Sequence, residues 1–422
     1  MASAGMIHET GQAEATGTPP LDSGYCRLSM RTLSEDAVGR RVARSRAERE
    51  RGADGLQRGT TADGLRQRMG ALTMRALIVK VSALGDVIHA LPVLDYLQKV
   101  VPGIEIDWVV EEANRDVLDG HSLIRRVHVV RTKDWRRRPL AALTRREVLA
   151  LSREFKEAAY DIAFDLQGNL KSGLITWLSG AERRYGFDAE GVRESLNLLF
   201  TNNQVPLRKQ DHHIAGRALR VVSVPFGRDY TEMQIGTDIF TSPEDDAAAE
   251  ALLATLSDGL VFVFHNGTTW VTKLWHENGW IRLGKLIQER FHEATILLSW
   301  GNSEERAAAE RIGAGIGNNV RVLPRLSLKG FCALLKKVDL VVGGDTGPVH
   351  LAAAVGTPTV SFYRATDAKR NGPRGAQHSL LQSPLHCRAC LRKECDRDLQ
   401  CRESITADAL MKGIESVLGA SC

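Results

Sequence analysis

From Met74 onward, short apolar runs alternate with amphipathic stretches of helical period, the pattern of parallel strands joined by crossover helices. Strands are predicted at Ala76 to Val81, Ile106 to Val110, Val127 to Val130 and Ile162 to Asp165, with helices such as Val87 to Val100 and Arg145 to Lys156 between them. A second series follows Pro225: Leu260 to His265, Thr295 to Trp300, Val320 to Leu323, Leu340 to Val342 and Thr359 to Phe362. The class is α/β, with two doubly wound sheets joined near residues 222–240. Boundaries are expected at 74–230 and 231–404, with a closing helix, Ile405 to Leu418, inside 405–422.

Residues 1–73 break the pattern. They hold eleven Arg, no Lys, one aromatic residue (Tyr25) and no sustained apolar periodicity, so disorder is predicted, with a short helical arm at Glu35 to Arg51 as the rival. The abrupt change at Met74 makes that residue a candidate initiator.

Composition narrows the function. Of 422 residues, 43% are hydrophobic and 25% charged, which is ordinary globular usage. A net charge of +5 over this length is too small for a dedicated nucleic-acid binder. No run approaches the ~18 apolar residues of a membrane span, and the first residues lack a signal peptide's basic and apolar regions. A cytoplasmic protein is expected. Four of the seven cysteines, Cys387, Cys390, Cys395 and Cys401, crowd into one stretch beside His386. That spacing leaves two readings open: a structural zinc site, or free or redox-active thiols.

In doubly wound sheets ligands meet the carboxyl ends of strands, and the informative residues follow strands here. After the first strand, Lys80, Ser82 and the Gly85-Asp86 pair lead into a helix. Asp86 reads either as a helix cap or as a cleft carboxylate suited to base catalysis; His89, a turn on, reads as a packing histidine. The segment Val341 to Tyr363 reads strand, Gly-rich turn, helix, turn, strand. Gly343, Gly344 and Gly347 allow close backbone approach, and Thr346 with the first helical N–H groups offers an anion site that suits a diphosphate. Asp345 there is a candidate sugar-hydroxyl or loop-fixing acceptor, and His350 a candidate core residue. Asn266, Gly267, Thr268 and Thr269, with Lys273, follow another strand and suit a leaving diphosphate or form an ordinary polar turn. Glu304 and Glu305 could accept ribose hydroxyls or sit as first-turn helix acids. Gly279 to Lys285 has P-loop spacing, but Leu286 stands where Ser or Thr would bind magnesium, and no GxGxxG follows a strand.

Together KVSALGDVIHALPVL, IDWVVEE, FDLQGNLKSGL, GFDAEGVRESLNLL, the HNGTT loop with Lys273, and GGDTGPVHLAAAVGTPTV resemble the type I family of bacterial lipopolysaccharide heptosyltransferases. The resemblance covers about Met74 to Leu418. It implies the GT-B fold, two Rossmann-like domains facing a central cleft. The implied reaction is inverting transfer of heptose from ADP-L-glycero-β-D-manno-heptose to the Kdo of Kdo-lipid A, with no required cofactor. Residue by residue it implies Asp86 as general base and Lys273, Thr268, Thr269, Thr346 and Gly347 at the donor diphosphate. It further implies Asp345 near the heptose, His350 among the donor-binding residues, Glu304 at the ribose, and Lys80, Ser82, Lys133, Arg136, Lys171 and Arg193 at the acceptor. Lys133 and Asp134 depart from the family's paired arginines. The basic stretch Trp135 to Arg138, with Arg145 and Arg146, could also face anionic lipid of the inner membrane. A heptosyltransferase with another acceptor, and a non-catalytic nucleotide-sugar binder, stay open as alternatives.

Overall fold

The computed structural model describes residues 73–419, which lie within one compact unit beginning at Leu72. The expectations for residues 1–72 fall outside the described residues. Two six-stranded, all-parallel sheets organise the chain. The first contains β1 (Arg75–Val79), β2 (Glu105–Glu111), β3 (Arg126–Val130), β4 (Ile162–Asp165), β5 (Arg183–Phe187) and β6 (Asn203–Val205), in the order β3-β2-β1-β4-β5-β6. The second contains β7 (Val261–His265), β8 (Thr295–Ser299), β9 (Val320–Val322), β10 (Leu340–Gly344), β11 (Thr359–Tyr363) and β12 (His378–Gln382), in the order β12-β11-β10-β7-β8-β9. This is the doubly wound α/β architecture expected from the alternating pattern.

In each sheet the strand order reverses between two central strands, β1 beside β4 and β7 beside β10. Those strands are buried on both faces, so they read as continuous apolar runs. At their carboxyl ends, adjacent loops diverge to opposite faces and leave a crevice. The register sets its floor: Val79 pairs with Asp165, and Gly343 with His265, so the four following loops start level.

Three strands were not predicted: β5, β6 and β12. They are short sheet-edge or near-edge segments (RRYGF, NQV, HSLLQ) with charged and amide side chains and much intermediate exposure, so no apolar run marks them. The predicted helix Val87 to Val100 is two helices, Leu84–Ile88 and Pro92–Val100, because Pro92 cannot donate to a preceding turn and opens a new helix instead. The P-loop lookalike lies inside the helix Glu277–Arg290, where Gly279 packs under Trp275 and Gly284 under Ile316. Backbone there is committed to helical bonds and cannot wrap a phosphate.

The two sheets are tied through their helices. His213 Nδ1 accepts from Ala215 N at 3.2 Å, so Nε2 carries the proton and donates to the Gly372 carbonyl at 2.9 Å. Lys329 donates to the Asp119 and Phe240 carbonyls. Val87 and Ile88 of the first sheet's layer share one apolar core with Leu351 and Ala352 of the second. Among the described residues, no helix is long and apolar enough to cross a membrane.

Candidate active site

The four loops after β1, β4, β7 and β10 carry most of the residues singled out above. Behind β1, Lys80 is buried and its Nζ donates to the Leu166 carbonyl of the β4 loop at 2.8 Å. Burial pulls the Lys80 ammonium below its ordinary value, with Asp86 opposing. The N–H groups of Val81 and Ser82 both donate to Gln167 Oε1 at 3.2 Å, which clamps the β1 loop to the β4 loop. Asp165 anchors that second loop. Its carboxylate accepts from the N–H groups of Gln167 and Gly168, from Ser172 Oγ at 2.8 Å and from Asn197 Nδ2 at 2.6 Å. Burial still raises its pKa, these bonds only moderating the effect.

Asp86 sits at the third position of the helix Leu84–Ile88, whose cap residue is Ala83. The Ala83 N–H reaches Asp86 Oδ2 at only 3.4 Å, and Arg193 Nη1 lies 3.8 Å from the same oxygen. A carboxylate 23% exposed with two such loose partners keeps capacity to accept a further proton or hydrogen bond. Lys171 Nζ donates to Thr132 Oγ1 at 3.1 Å, and Thr132 to Glu111 Oε2 at 2.8 Å, which joins the β4 helix to the segment carrying Lys133 and Arg136. Lys133 and Arg136 are exposed at the rim.

On the second sheet, the helix Gly347–Ala354 begins at Thr346 with no side-chain cap. Its N–H groups are therefore open to an anion. Lys273 Nζ donates to Asp345 Oδ2 at 2.8 Å and to the Asp345 carbonyl at 3.1 Å, and lies 4.9 Å from the Trp270 ring centroid. Asp345 also accepts from His350 Nε2 at 2.9 Å and Asn371 Nδ2 at 3.2 Å. Burial alone would raise this carboxyl, but His350 and Lys273 outweigh it and hold it far below the ordinary range. Thr268 Oγ accepts from Trp270 N at 3.4 Å and Thr269 is exposed beside it.

The two halves meet at these loops. A Cβ on Gly347 would stand 2.7 Å from Leu84 Cδ2, and one on Gly85 would stand 3.0 Å from His350 Cδ2. The Asp86 helix and the diphosphate-type helix start thus face each other at van der Waals range, with a glycine on each side of the approach.

Several positions depart from expectation. Glu304 is exposed on the helix Ser303–Ile316, and its side chain makes no hydrogen bond among the described residues. Glu305 is the acid turned to the donor loop: it accepts from Gly301 N at 2.7 Å and covers Gly267 so closely that a Cβ there would fall 2.2 Å from its carboxyl carbon. His89 is not a satisfied packing histidine, since its buried Nε2 has no hydrogen-bond partner among the described residues; its ring lies 4.4 Å from that of His350 and meets that of His213 edge-on at 5.4 Å. Sequence reasoning passed over Gln167, Asn371 and Arg370, the last close enough to oppose the charge on Lys80. No strand-end rule marks them: Gln167 acts through amide geometry, and the other two reach the site from the short helix Ala368–Asn371.

Among the described residues the cysteines are not grouped as metal ligands. Cys387 and Cys390 are exposed, Cys395 and Cys401 half-buried, and among the described residues no group of three or more His, Cys, Asp or Glu side chains could hold a metal ion. Other contacts hold the segment: fully buried Arg364 binds Asp398 Oδ1 at 2.6 Å, Arg402 binds Asp398 Oδ2 at 2.6 Å, and Thr272 Oγ1 donates to the Arg392 carbonyl at 2.6 Å. The stretch therefore buttresses the Lys273 loop.

Low pH should loosen the seam between the halves. His213 is buried, and desolvation, then Arg374, lower its pKa to about 4. Between about 6.5 and about 4 the unfolded chain binds the extra proton, so stability is full above that window and falls as pH drops through it, by up to about 3 kcal/mol. His265 and His378, also lowered to about 4 by burial, act with the same sign. Urea midpoints at about pH 7.5 and about pH 5 should differ less for His213→Gln than for the unaltered protein; equal differences would place the titration elsewhere.

One sheet that can receive an anionic leaving group, facing another that presents a carboxylate beside cations, is how GT-B glycosyltransferases are built, and this chain is of that class. The description glycosyltransferase family 9 (heptosyltransferase) matches residues 148–400. Lipopolysaccharide heptosyltransferase 1 of Pseudomonas aeruginosa is 36% identical over 323 residues, 76% of this chain and 87% of that protein. Among solved structures, E. coli heptosyltransferase WaaC with ADP shows 32% identity and a TM-score of 0.67, covering 82% of this chain and all of that one. WaaC with ADP-2-deoxy-2-fluoro heptose gives 0.63 at 32% identity, over 81% of this chain and 99% of that one. The chain belongs to glycosyltransferase family 9, the heptosyltransferases.

Proposed function

We propose that the protein transfers L-glycero-D-manno-heptose from ADP-heptose to a hydroxyl of Kdo in Kdo-lipid A, with inversion, in assembly of the lipopolysaccharide inner core. Asp86 takes the hydroxyl proton as that oxygen attacks the anomeric carbon. The bond from that carbon to the β-phosphate oxygen breaks on the opposite side, and ADP departs with the electron pair. Lys273 and the N–H groups at the start of Gly347–Ala354, with Thr268, Thr269 and Thr346, receive the charge that grows on the diphosphate. Glu305, rather than Glu304, is the acid disposed to accept ribose hydroxyls, while Asp345, held by His350, orients Lys273 and meets the heptose. Lys80, Ser82, Lys171 and Arg193, with Lys133 and Arg136 at the rim, take the carboxylates and phosphates of the acceptor.

The observation that carries this reading is the contact of Leu84 with Gly347, which sets the Asp86 helix against an uncapped helix start beside Lys273. A single base and a diphosphate leaving group need no second carboxylate nucleophile. The work is cytoplasmic, at the inner face of the membrane that holds the acceptor. ADP release from ADP-heptose should depend on Kdo-lipid A. Release at the same rate without acceptor, or only with a differently decorated core glycan, would overturn the acceptor assignment.

A further inference from the structure

Gln167 is 5% exposed at the floor of the crevice, and its bonds hold it in one orientation. Its own N–H donates to the buried Asp165 carboxylate at 2.9 Å, which fixes its backbone. Its side-chain oxygen accepts from the N–H groups of Val81 and Ser82, both at 3.2 Å. Two donors on one oxygen settle the direction of the amide, because the opposite setting would press its NH2 group against two N–H groups. Nε2 is thereby turned away from the β1 loop. Among the described residues it makes no hydrogen bond, and it is not sealed in the interior. A nearly buried side chain thus keeps two N–H donors open.

The chain on either side of Gln167 governs the charges around it. Ser82 and Asp86 share one loop and the helix that follows, so the Gln167 oxygen sets where the helix Leu84–Ile88 begins. The next carbonyl, of Gly168, accepts from Arg193 N at 2.9 Å and Glu194 N at 3.0 Å, which fixes the segment whose guanidinium lies 3.8 Å from Asp86. The preceding carbonyl, of Leu166, takes Lys80 Nζ at 2.8 Å, the one hydrogen bond of that ammonium among the described residues. Leu166, Gln167 and Gly168 in succession therefore hold Lys80, the Asp86 loop and Arg193. Asp165 is already taken up by four donors, which leaves Asp86 as the carboxylate beside the Gln167 amide, the spare N–H groups of Lys80 and the Arg193 guanidinium. Donors and cations so gathered suit a second negative group, brought by a ligand.

We propose that Gln167 orients both partners of the reaction: its oxygen sets the loop that carries Asp86, and its NH2 group binds a carboxylate of the acceptor beside the hydroxyl that loses its proton. The inference rests on the proposed function for the identity of the acceptor, whose Kdo is a sugar acid.

Two substitutions separate the two ends of the amide. Gln167→Glu keeps an oxygen for Val81 and Ser82 but puts a second oxygen in place of the NH2 group, which repels a carboxylate. Gln167→Met keeps the length and loses both functions. In steady-state transfer to a deacylated, water-soluble Kdo acceptor at about pH 8, Gln167→Glu should raise the acceptor KM about tenfold to a hundredfold while kcat falls by less than about threefold. Gln167→Met should raise the same KM and also lower kcat by about tenfold or more, because the base is no longer held in line. On an acceptor whose carboxylate is reduced to an alcohol, the KM of Gln167→Glu should come within about twofold of the unaltered protein's, since the repelled charge is gone. Calorimetric titration should show equal ADP-heptose affinity for all three proteins, which also shows that they fold. Titration of the acceptor into protein holding ADP reads the contact without catalysis, so an unaltered protein that binds this acceptor more tightly than Gln167→Glu does, yet transfers no heptose, strikes the function and leaves this inference standing. Unchanged acceptor KM and affinity in Gln167→Glu, a penalty that persists on the reduced acceptor, or no acceptor binding by the unaltered protein would overturn the carboxylate contact. Unchanged kcat in Gln167→Met would overturn the hold on the Asp86 loop.

Discussion

Replacing Asp86 by Ala is expected to lower heptosyl transfer by about two to four orders of magnitude, the usual scale for removing a group that moves a proton in the transition state. ADP-heptose binding should survive, because Asp86 lies on the first sheet and the proposed leaving-group contacts on the second. The fold should survive as well. Asp86 accepts from Ala83 N at 3.4 Å and lies 3.8 Å from a largely exposed Arg193, contacts at the loose end of hydrogen bonding and ion pairing. Their loss should cost at most about 1 kcal/mol. Asp86→Asn sharpens the experiment: it preserves shape and the contact to Ala83 but cannot take a proton. Steady-state turnover, with calorimetric titration of ADP-heptose, separates the outcomes. A variant that turns over at the original rate removes Asp86 from the reaction, and one that loses donor binding moves the carboxylate to the donor side.

The placement of Asp86, Lys273 and the Gly347 turn just after strands was legible in the sequence, because β1, β7 and β10 announce themselves as apolar runs of Val, Ile, Leu and Phe. What escaped depended on three-dimensional contact. Glu304 and Glu305 are adjacent, and only the direction of the helix Ser303–Ile316 after its Asn302 cap turns Glu305 rather than Glu304 over Gly267. Asn371 and Arg370 come from beyond β11, on a four-residue helix with no periodicity to read. Gln167 matters because one amide oxygen accepts from two successive N–H groups of another loop, a bond between segments eighty-six and eighty-five residues apart. The cysteine spacing left a metal site and free thiols both open, and what holds the segment among the described residues comes instead from Arg364, Asp398 and Thr272, which no spacing marks. Strands β5, β6 and β12, at or next to a sheet edge, were lost because half-exposed strands need no apolar run.

Lys273→Ala should lower kcat by about two to three orders of magnitude, comparable to deleting a donor aimed at developing negative charge. In the free protein the Lys273 ammonium is shared between Asp345 Oδ2 and the Asp345 carbonyl and is only 17% exposed. Most of its solvation has thus already been exchanged for protein contacts, and it is held in place as charge grows on the departing diphosphate. The same pairing predicts a second effect. Without Lys273, the buried Asp345 carboxylate keeps only His350 and Asn371, so the variant should also melt earlier, since an uncompensated buried charge is costly. Asp345→Asn/Lys273→Ala separates the two losses: it should recover most of the stability while transfer stays low, because the carboxylate left without its cation is gone and the leaving group still lacks its ammonium. Lys273→Arg should rescue poorly, since a planar fork does not fit a slot bounded by the Trp270 ring at 4.9 Å and the Asp345 carbonyl. If the double variant regained transfer along with stability, Lys273 would be a structural partner of Asp345, and the diphosphate would depend on the helix start at Gly347 alone.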